Sequence, residues 1–291
     1  MTRASTARAD RPSHDGAIDY LIIGHVTVDI TPEGPRIGGT AAYAGLTASR
    51  LGLEVGLVTA CETHLDLSPL EGLAIERRPS ASTTTFENKD LRGSRRQILR
   101  SPASHLTLAD VPNAWRGAPI VHLAPVAGEI DPMLADAFPD SFVGVTPQGW
   151  WRAWDDAGTV RCVEIEQAMD GLVPAHAAVF SRQDLALDAT TLERLRQLWP
   201  VVAITDGAAG ADVYWQDEQL HIPATSTTLV DDTGAGDIFA AVLFAQLSSG
   251  RPPDAAAKEA TRWASASVRR AGLAGVEDPD RAGIPAGAPP Q

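Results

Sequence analysis

The chain has 291 residues, a formal net charge of -13 and a hydrophobic fraction of 44%. That length suits one large α/β domain, and that composition excludes a chain disordered throughout. The acidic balance disfavours nucleic acid and anionic membrane surfaces as partners, since the densest basic cluster, Arg92 to Arg100, is brief and interrupted. The two cysteines, Cys61 and Cys162, lie outside any metal-ligand or CxxC spacing. They read as reduced and structural, in a cytoplasmic protein. No apolar run approaches the roughly 20 residues that span a bilayer. Residues 1–17 lack the apolar centre of a secretory signal, so they are expected to form a disordered tail before a single domain over 18–291.

Tyr20 to Gly24 is a short apolar run that reads as a first buried strand, continuing toward Val28. Gly38-Gly39 and the Ala-rich stretch Thr40 to Leu51 predict a closely packing helix, stopped at Gly52. Glu54 to Ala60 predicts a second strand. Over residues 77–100 the pattern changes. Thr83 to Glu87 has strand propensity, Asn88 to Asp90 suits a turn and Arg96 to Leu99 suits a return, which together predict an exposed hairpin or lid. Short apolar runs then recur at Ile120 to Ala124, Phe142 to Val145, Ala177 to Phe180 and Val201 to Ile204. Helical stretches such as Ala189 to Leu198 lie between several of them. Continuous apolar strands alternating with helices predict a largely parallel sheet covered on both faces. Two C-terminal helices are expected, Ile238 to Leu247 and Asp254 to Arg270, with a loose Gly/Pro/Ala-rich tail after Gly283.

The strongest chemical signal is Asp231-Asp232-Thr233-Gly234-Ala235-Gly236-Asp237, a polar, glycine-rich turn running into an apolar helix. The first N–H groups of a helix have no backbone partner and the dipole is positive there. Gly234, Ala235 and Gly236 are small enough to let a phosphate approach those groups. Asp237, fixed at the start of a buried helix beside an anion pocket, suits a general base for a hydroxyl. Thr205, Gly207 and Gly210 form a second turn after a strand, able to hold phosphates but equally at home in a hairpin. Asp29 near a strand end, with Gly38 and Gly39, could face a ligand at the carboxyl edge of the sheet or could be an ordinary turn. The tryptophans of Thr146 to Trp151 read mainly as core. His105 and His122 read as structural.

These residues, in this order from Asp19 to about Pro285, resemble the ribokinase-like sugar kinases, the PfkB family. The resemblance implies a three-layer α/β/α fold with a mostly parallel central sheet and a β lid. It implies transfer of the γ-phosphate of ATP to a hydroxyl of a sugar or polyol, with Mg²⁺ and with a monovalent cation such as K⁺ near the Asp231 loop. By position, Asp237 would be the base and the N–H groups of Gly234, Ala235 and Gly236 the anion hole. Thr205, Gly207, Gly210 and Ser181 would line the ATP site, with Asp184 toward the metal. Asp29, Gly38, Gly39 and Tyr43 would face the acceptor.

The chain departs from the family at several places. Ser181-Arg182-Gln183-Asp184 stands where Asn-x-x-Glu is usual, Tyr43 where Asn is usual, and Val242 where Gly is usual in the signature helix. Only Ile30 to Ile37 separate Asp29 from Gly38, which predicts a reduced lid, centred on the Thr83–Leu99 hairpin. A homodimer is compatible with this pattern, although the short lid weakens a lid-mediated one. An inositol-like acceptor fits the short segment and Tyr43. A nucleoside acceptor, stacked on Phe86 or a tryptophan, is the alternative. A catalytically idle nucleotide- or sugar-binding relative is the rival from another class. The glycine fingerprint of dinucleotide-binding folds and the Gly-Lys step of a P-loop are both missing.

Overall fold

The computed structural model describes residues 16–91 and 94–280. The expected N-terminal tail, apart from Gly16 and Ala17, and the loose segment after Gly283 lie outside the described residues.

The apolar run at the start forms β1 (Tyr20–Ile23), and the chain then leaves the main body as a hairpin of β2 (Thr27–Thr31) and β3 (Gly34–Gly38). Helix α1 (Thr40–Arg50) returns it to β4 (Val55–Cys61) and β5 (Ala74–Pro79). A second excursion follows as β6 (Thr85–Leu91) and β7 (Ser94–Ser101). Next come β8 (Ile120–Leu123), β9 (Phe142–Val145), the short pair β10 (Arg152–Trp154) and β11 (Val160–Cys162), and the brief helix α2 (Ile165–Met169). The remainder is β12 (Ala177–Ser181), α3 (Ala189–Leu198), β13 (Val201–Thr205), β14 (Ala211–Trp215), β15 (Glu218–Ile222), α4 (Ala235–Ser248) and α5 (Pro253–Ser267).

The central sheet has nine strands in the order β15-β14-β13-β12-β9-β8-β1-β4-β5. Every pair from β13 to β5 is parallel, and β14 and β15 close the other edge as an antiparallel meander. Alternation along β1 splits the core in two. Tyr20 and Ile22 join α1, α4 and α5 on one face. Leu21 and Ile23 join Val121, Val143, Trp151 and Trp199 on the other. The layers are therefore those of an α/β/α sandwich. Between β8 and β12 the second face is covered by single 3-10 turns and α2 rather than by long helices. The indole rings of that layer are anchored by donating to carbonyls, Trp150 Nε1–H to Ile130 (2.7 Å) and Trp151 Nε1–H to Ala168 (3.0 Å).

The lid is a four-stranded sheet, β3-β2-β6-β7. The hairpin expected at Thr83–Leu99 is present, and the short Asp29–Gly38 segment adds a second, tight one. Asn88, Lys89 and Asp90 lie inside β6, paired with β7, rather than forming the expected turn. The lid is tied to the body where the chain crosses between them. His25 Nε2–H donates to the Ser104 carbonyl (2.9 Å), and Nδ1 accepts from the Thr84 hydroxyl (2.7 Å). The Glu129 carboxylate accepts the N–H groups of His25 (3.0 Å) and Ala127 (2.7 Å). His25, Thr84 and Glu129 are buried, and each of these polar groups has a partner.

Candidate active site

Strands β1, β8, β9, β12 and β13 run parallel and end on one edge, where open α/β sheets bind ligands. The glycine-rich turn meets that edge. Gly234 is the N-cap of α4 with φ 80, a left-handed conformation that glycine adopts without strain. A Cβ there would also clash with the ring of Tyr43. Tyr43 is 2% exposed, its ring lying beneath Gly234, so it supports the turn and offers little surface to an acceptor. This corrects the expectation that it lines the acceptor pocket. Burial raises the Tyr43 hydroxyl above its ordinary value, and the carboxylates of Asp231, Asp237 and Asp29 raise it further.

The turn is held from both sides. Asp231 accepts N–H bonds from Thr233 and from Gly272, each 2.9 Å. Oδ1 thus closes the loop on itself, and Oδ2 ties it to the segment after α5. The Ala235 N–H donates to the Asp232 carbonyl (3.2 Å), so it is engaged rather than open. Among the described residues, Gly236 N–H and Asp237 N–H donate to no backbone carbonyl, as expected for a first helical turn. They are available to an anion at the helix start. A Cβ on Gly236 would stand 3.8 Å from Thr205 Oγ1, which brings the β13 turn alongside.

Asp237 is half-buried in the first turn of α4. Its Oδ1 accepts the Thr40 hydroxyl at 2.8 Å. Burial pushes its carboxyl up to about 6. The Thr40 bond opposes that shift, Asp184 adds to it, Arg152 opposes it and Asp29 adds to it. At neutral pH such a group is mainly ionised yet basic enough to accept a proton.

Beside the lid, Gly39 caps α1 with φ 86, and a Cβ there would stand 2.8 Å from the His25 carbonyl oxygen. A Cβ on Gly38 would clash with the Asp29 carboxylate. These two glycines let α1 start directly beneath the lid strand β2, and so bring Asp29 and Thr40 to the same cleft as Asp237. At the end of β13, Gly207 (φ 50) and Gly210 (φ 105) shape the turn after Thr205, and a Cβ on Gly210 would clash with the Ile222 carbonyl oxygen. Arg182 bridges Asp206 (2.9 Å) and Asp212 beside that turn.

Ser181 and Asp184 clasp each other. The Ser181 N–H donates to Asp184 Oδ2 (2.8 Å), and the Ser181 hydroxyl accepts the Gln183 N–H (3.2 Å). Gln148 Nε2–H donates to Asp184 Oδ1 (2.7 Å). Among the described residues no group of three or more His, Cys, Asp or Glu could hold a metal. One partly engaged carboxylate suits a Mg²⁺ carried mainly by donor phosphates and water. Asp184 is the carboxylate that would face it.

Three residues of this site escaped the sequence reading: Thr40, Gln148 and Arg152. Thr40 was visible only as the start of a helix. Gln148 and Arg152 follow β9 in a segment read as aromatic core. Arg152 donates from Nη1 to the Val126 carbonyl (3.1 Å), and its guanidinium carbon lies 5.5 Å from the centre of the Phe86 ring. Phe86 is itself 3% exposed. The cysteines divide: Cys61 is buried, whereas Cys162 is exposed, its thiol donating to the Gln183 carbonyl (3.6 Å).

The profile of the pfkB family carbohydrate kinase matches residues 177–279. A fructokinase of Rhizobium leguminosarum bv. trifolii is 40% identical over 270 residues, covering 78% of this chain and 79% of that protein. The chain belongs to the pfkB family of carbohydrate kinases. It is accordingly a phosphotransferase with a hydroxyl-bearing acceptor. A cytidine kinase of Thermococcus kodakarensis is 26% identical over 258 residues, covering 81% of this chain and 90% of that one. The fold of the family is matched by a pyrophosphate-dependent myo-inositol-1 kinase converted into a myo-inositol-3 kinase by two substitutions. That structure has a TM-score of 0.72 at 21% identity, covering 88% of this chain and 98% of that one. Arabidopsis thaliana ribokinase with ribose and ATP gives a TM-score of 0.69 at 14% identity, covering 92% and 98%. Among the described residues no helix is long and apolar enough to cross a membrane.

Proposed function

We propose that the chain transfers the γ-phosphate of ATP to a hydroxyl of a sugar or cyclic polyol, with Asp237 as general base. The observation that carries this reading is the Asp237 carboxylate, hydrogen-bonded to Thr40 at 2.8 Å and set beside the open N–H groups of its own helix start. A base and an anion hole then share one turn, so the hydroxyl oxygen and the phosphoryl group meet in one place. Thr205, Gly207 and Gly210 line the donor side, and Asp29, Gly38 and Gly39 the acceptor side. Mg²⁺ bound with the donor phosphates neutralises part of their charge. A cyclic polyol acceptor draws support from the likeness in fold to a kinase of myo-inositol. Stacking of a nucleoside on Phe86 is disfavoured, because that ring is buried and carries the Arg152 guanidinium on its face.

The test is turnover. With ATP and Mg²⁺, ADP release is measured across fructose, ribose, myo-inositol, other polyols and cytidine. At least one sugar or polyol is expected to be phosphorylated. Asp237→Asn is expected to lose about 10²–10⁴-fold in kcat, the usual contribution of a positioned general base. Full activity in that variant would refute the assigned base. Nucleotide binding with no turnover across the panel would make the chain an idle binder instead.

A further inference from the structure

We propose that Arg152 is a catalytic residue whose guanidinium clamps the phosphoryl group as it passes from the donor to the acceptor hydroxyl. This rests on the kinase reading above but adds a cation to a site so far built of carboxylates, backbone N–H groups and hydroxyls.

Arg152 opens β10, just past the 3-10 turn that follows the carboxyl end of β9. A close approach of backbones fixes that turn: a Cβ on Gly149 would clash with Pro125, and Gly149 N–H donates to the Pro125 carbonyl (3.0 Å). From there the side chain lies between the lid and the sheet edge. Phe86 of β6 supports its plane, and the Val126 carbonyl takes one N–H. Burial lowers the guanidinium below its ordinary value, and the carboxylates of Asp184, Asp237 and Glu129 oppose that shift. Yet among the described residues none of them lies within ion-pair distance, and its only hydrogen bond is the one to Val126.

A guanidinium has five N–H donors and stays charged in proteins. Buried structural arginines normally spend those donors on carboxylates. Here most of the fork is unspent. The one side-chain polar atom that is both sealed from solvent and without a partner, among the described residues, is Thr261 Oγ1. The unspent nitrogens of Arg152 are therefore not sealed from solvent; its turn reaches Asp184 through Gln148 (2.7 Å), and the Phe86 beneath its plane pairs with Asp29 across β6 and β2. Asp184 marks the donor side and Asp237 the acceptor hydroxyl. A phosphoryl group moving between two carboxylates meets repulsion from both, and Arg152 supplies the opposing charge along that path. Its planar fork matches two phosphoryl oxygens, which an ammonium would not.

The chemistry balances without further reagents. The acceptor oxygen bonds to phosphorus, the bond from phosphorus to the bridging oxygen of ADP breaks, the electron pair leaves with ADP and the hydroxyl proton goes to Asp237. Arg152 exchanges no proton; it donates hydrogen bonds that strengthen as charge spreads over the transferring oxygens.

The experiment compares wild type, Arg152→Gln and Arg152→Lys, each checked by thermal melting for a folded state. In the first arm, Mg²⁺ and ADP are titrated by calorimetry with and without aluminium fluoride, a mimic of the transferring phosphoryl group. Wild type is expected to bind ADP at least tenfold more tightly with the mimic. Arg152→Gln is expected to lose that gain while binding ADP alone within about threefold of wild type, and Arg152→Lys to recover part of it. No gain in wild type, or an equal gain in Arg152→Gln, overturns the proposal. In the second arm, Arg152→Gln is expected to lower kcat on the order of 10²–10³-fold, with acceptor KM within about threefold and partial rescue by millimolar guanidinium ion. A loss confined to acceptor KM would make Arg152 an acceptor-binding residue and overturn the clamp. The two readings fail separately: a blank acceptor panel sinks the kinase assignment, while the aluminium fluoride arm needs no acceptor.

Discussion

At the scale of single residues, the proposed mechanism depends on how Asp237 is kept ionised. Burial raises its carboxyl to about 6, and the Thr40 hydroxyl restrains that rise. Since a base must be unprotonated to act, activity falls as pH drops through that value. The acid limb of kcat/KM is expected near pH 6. In Thr40→Val the charged form loses its hydrogen-bond donor, so the limb moves upward and activity at pH 6.5 falls further than at pH 8.5. A pH–rate profile of both proteins checks this, and coincident limbs would exclude the Thr40 bond as a tuning element. Asp237, Gly234 and Gly236 were legible because they are consecutive: one turn states its own backbone demand and its own charge. Thr40, Gln148 and Arg152 were not, because each acquires its role only by meeting a residue far away in the chain. Tyr43 misled for the same reason. Its place in the sequence suggests the cleft, whereas its ring is taken up under Gly234.

At the scale of elements, apolar runs bounded by Gly or polar residues placed β1, β4, β8, β9, β12 and β13 close to where they stand. The C-terminal helices also stand where the pattern put them, and α4 begins three residues before the predicted Ile238 because the glycine turn itself caps it. The segment from Ala124 to His176 was the least legible. Its cover is built of 3-10 turns anchored by indole and carboxylate hydrogen bonds, which leave no 3.6-residue period to read. One contact between elements explains why α4 can sit so low on the sheet. A Cβ on Gly144 of β9 would stand 2.5 Å from the Phe244 ring, and that ring also meets His122 edge-on at 4.9 Å. Gly144→Ala should therefore push α4 away from the sheet edge that its first turn serves. Overpacking of this kind costs about 1–3 kcal/mol. Urea denaturation should show that loss, together with a lower kcat, because the helix that shifts carries Asp237. A variant as stable and as active as wild type would show that α4 is not seated by this contact.

At the scale of the whole molecule, two buried groups pull the pH dependence of stability in opposite directions. His122 lies in the middle of the sheet, with Tyr20 Oη 3.2 Å from Nδ1 and Thr146 Oγ1 3.0 Å from Nε2. Burial lowers its value to about 3. Between there and the ordinary value near 6.5, the unfolded chain binds a proton that the native protein refuses, so this group makes stability fall as pH falls. Asp237 does the reverse. With a native value of about 6 against about 4 when unfolded, it holds a proton in the native state that the unfolded chain gives up. Its stabilising contribution is full below about pH 4 and is lost as pH rises through 6. Between roughly pH 4 and 6 the two slopes, each at most about 1.4 kcal/mol per pH unit, cancel. Asp237→Asn removes one of them. That variant should be more stable than wild type at pH 7.5, by on the order of 1 kcal/mol because the carboxylate is only half-buried, and should lose stability on acidification more steeply. His122→Gln should show the opposite bias, its stability falling less as the solution is acidified from pH 6.5. Urea midpoints of the three proteins at pH 4.5, 6 and 7.5 separate these contributions. Parallel curves would mean that neither burial is felt by the folding equilibrium. A gain in Asp237→Asn at neutral pH would instead show the fold strained by the ionised carboxylate that the proposed mechanism uses as its base.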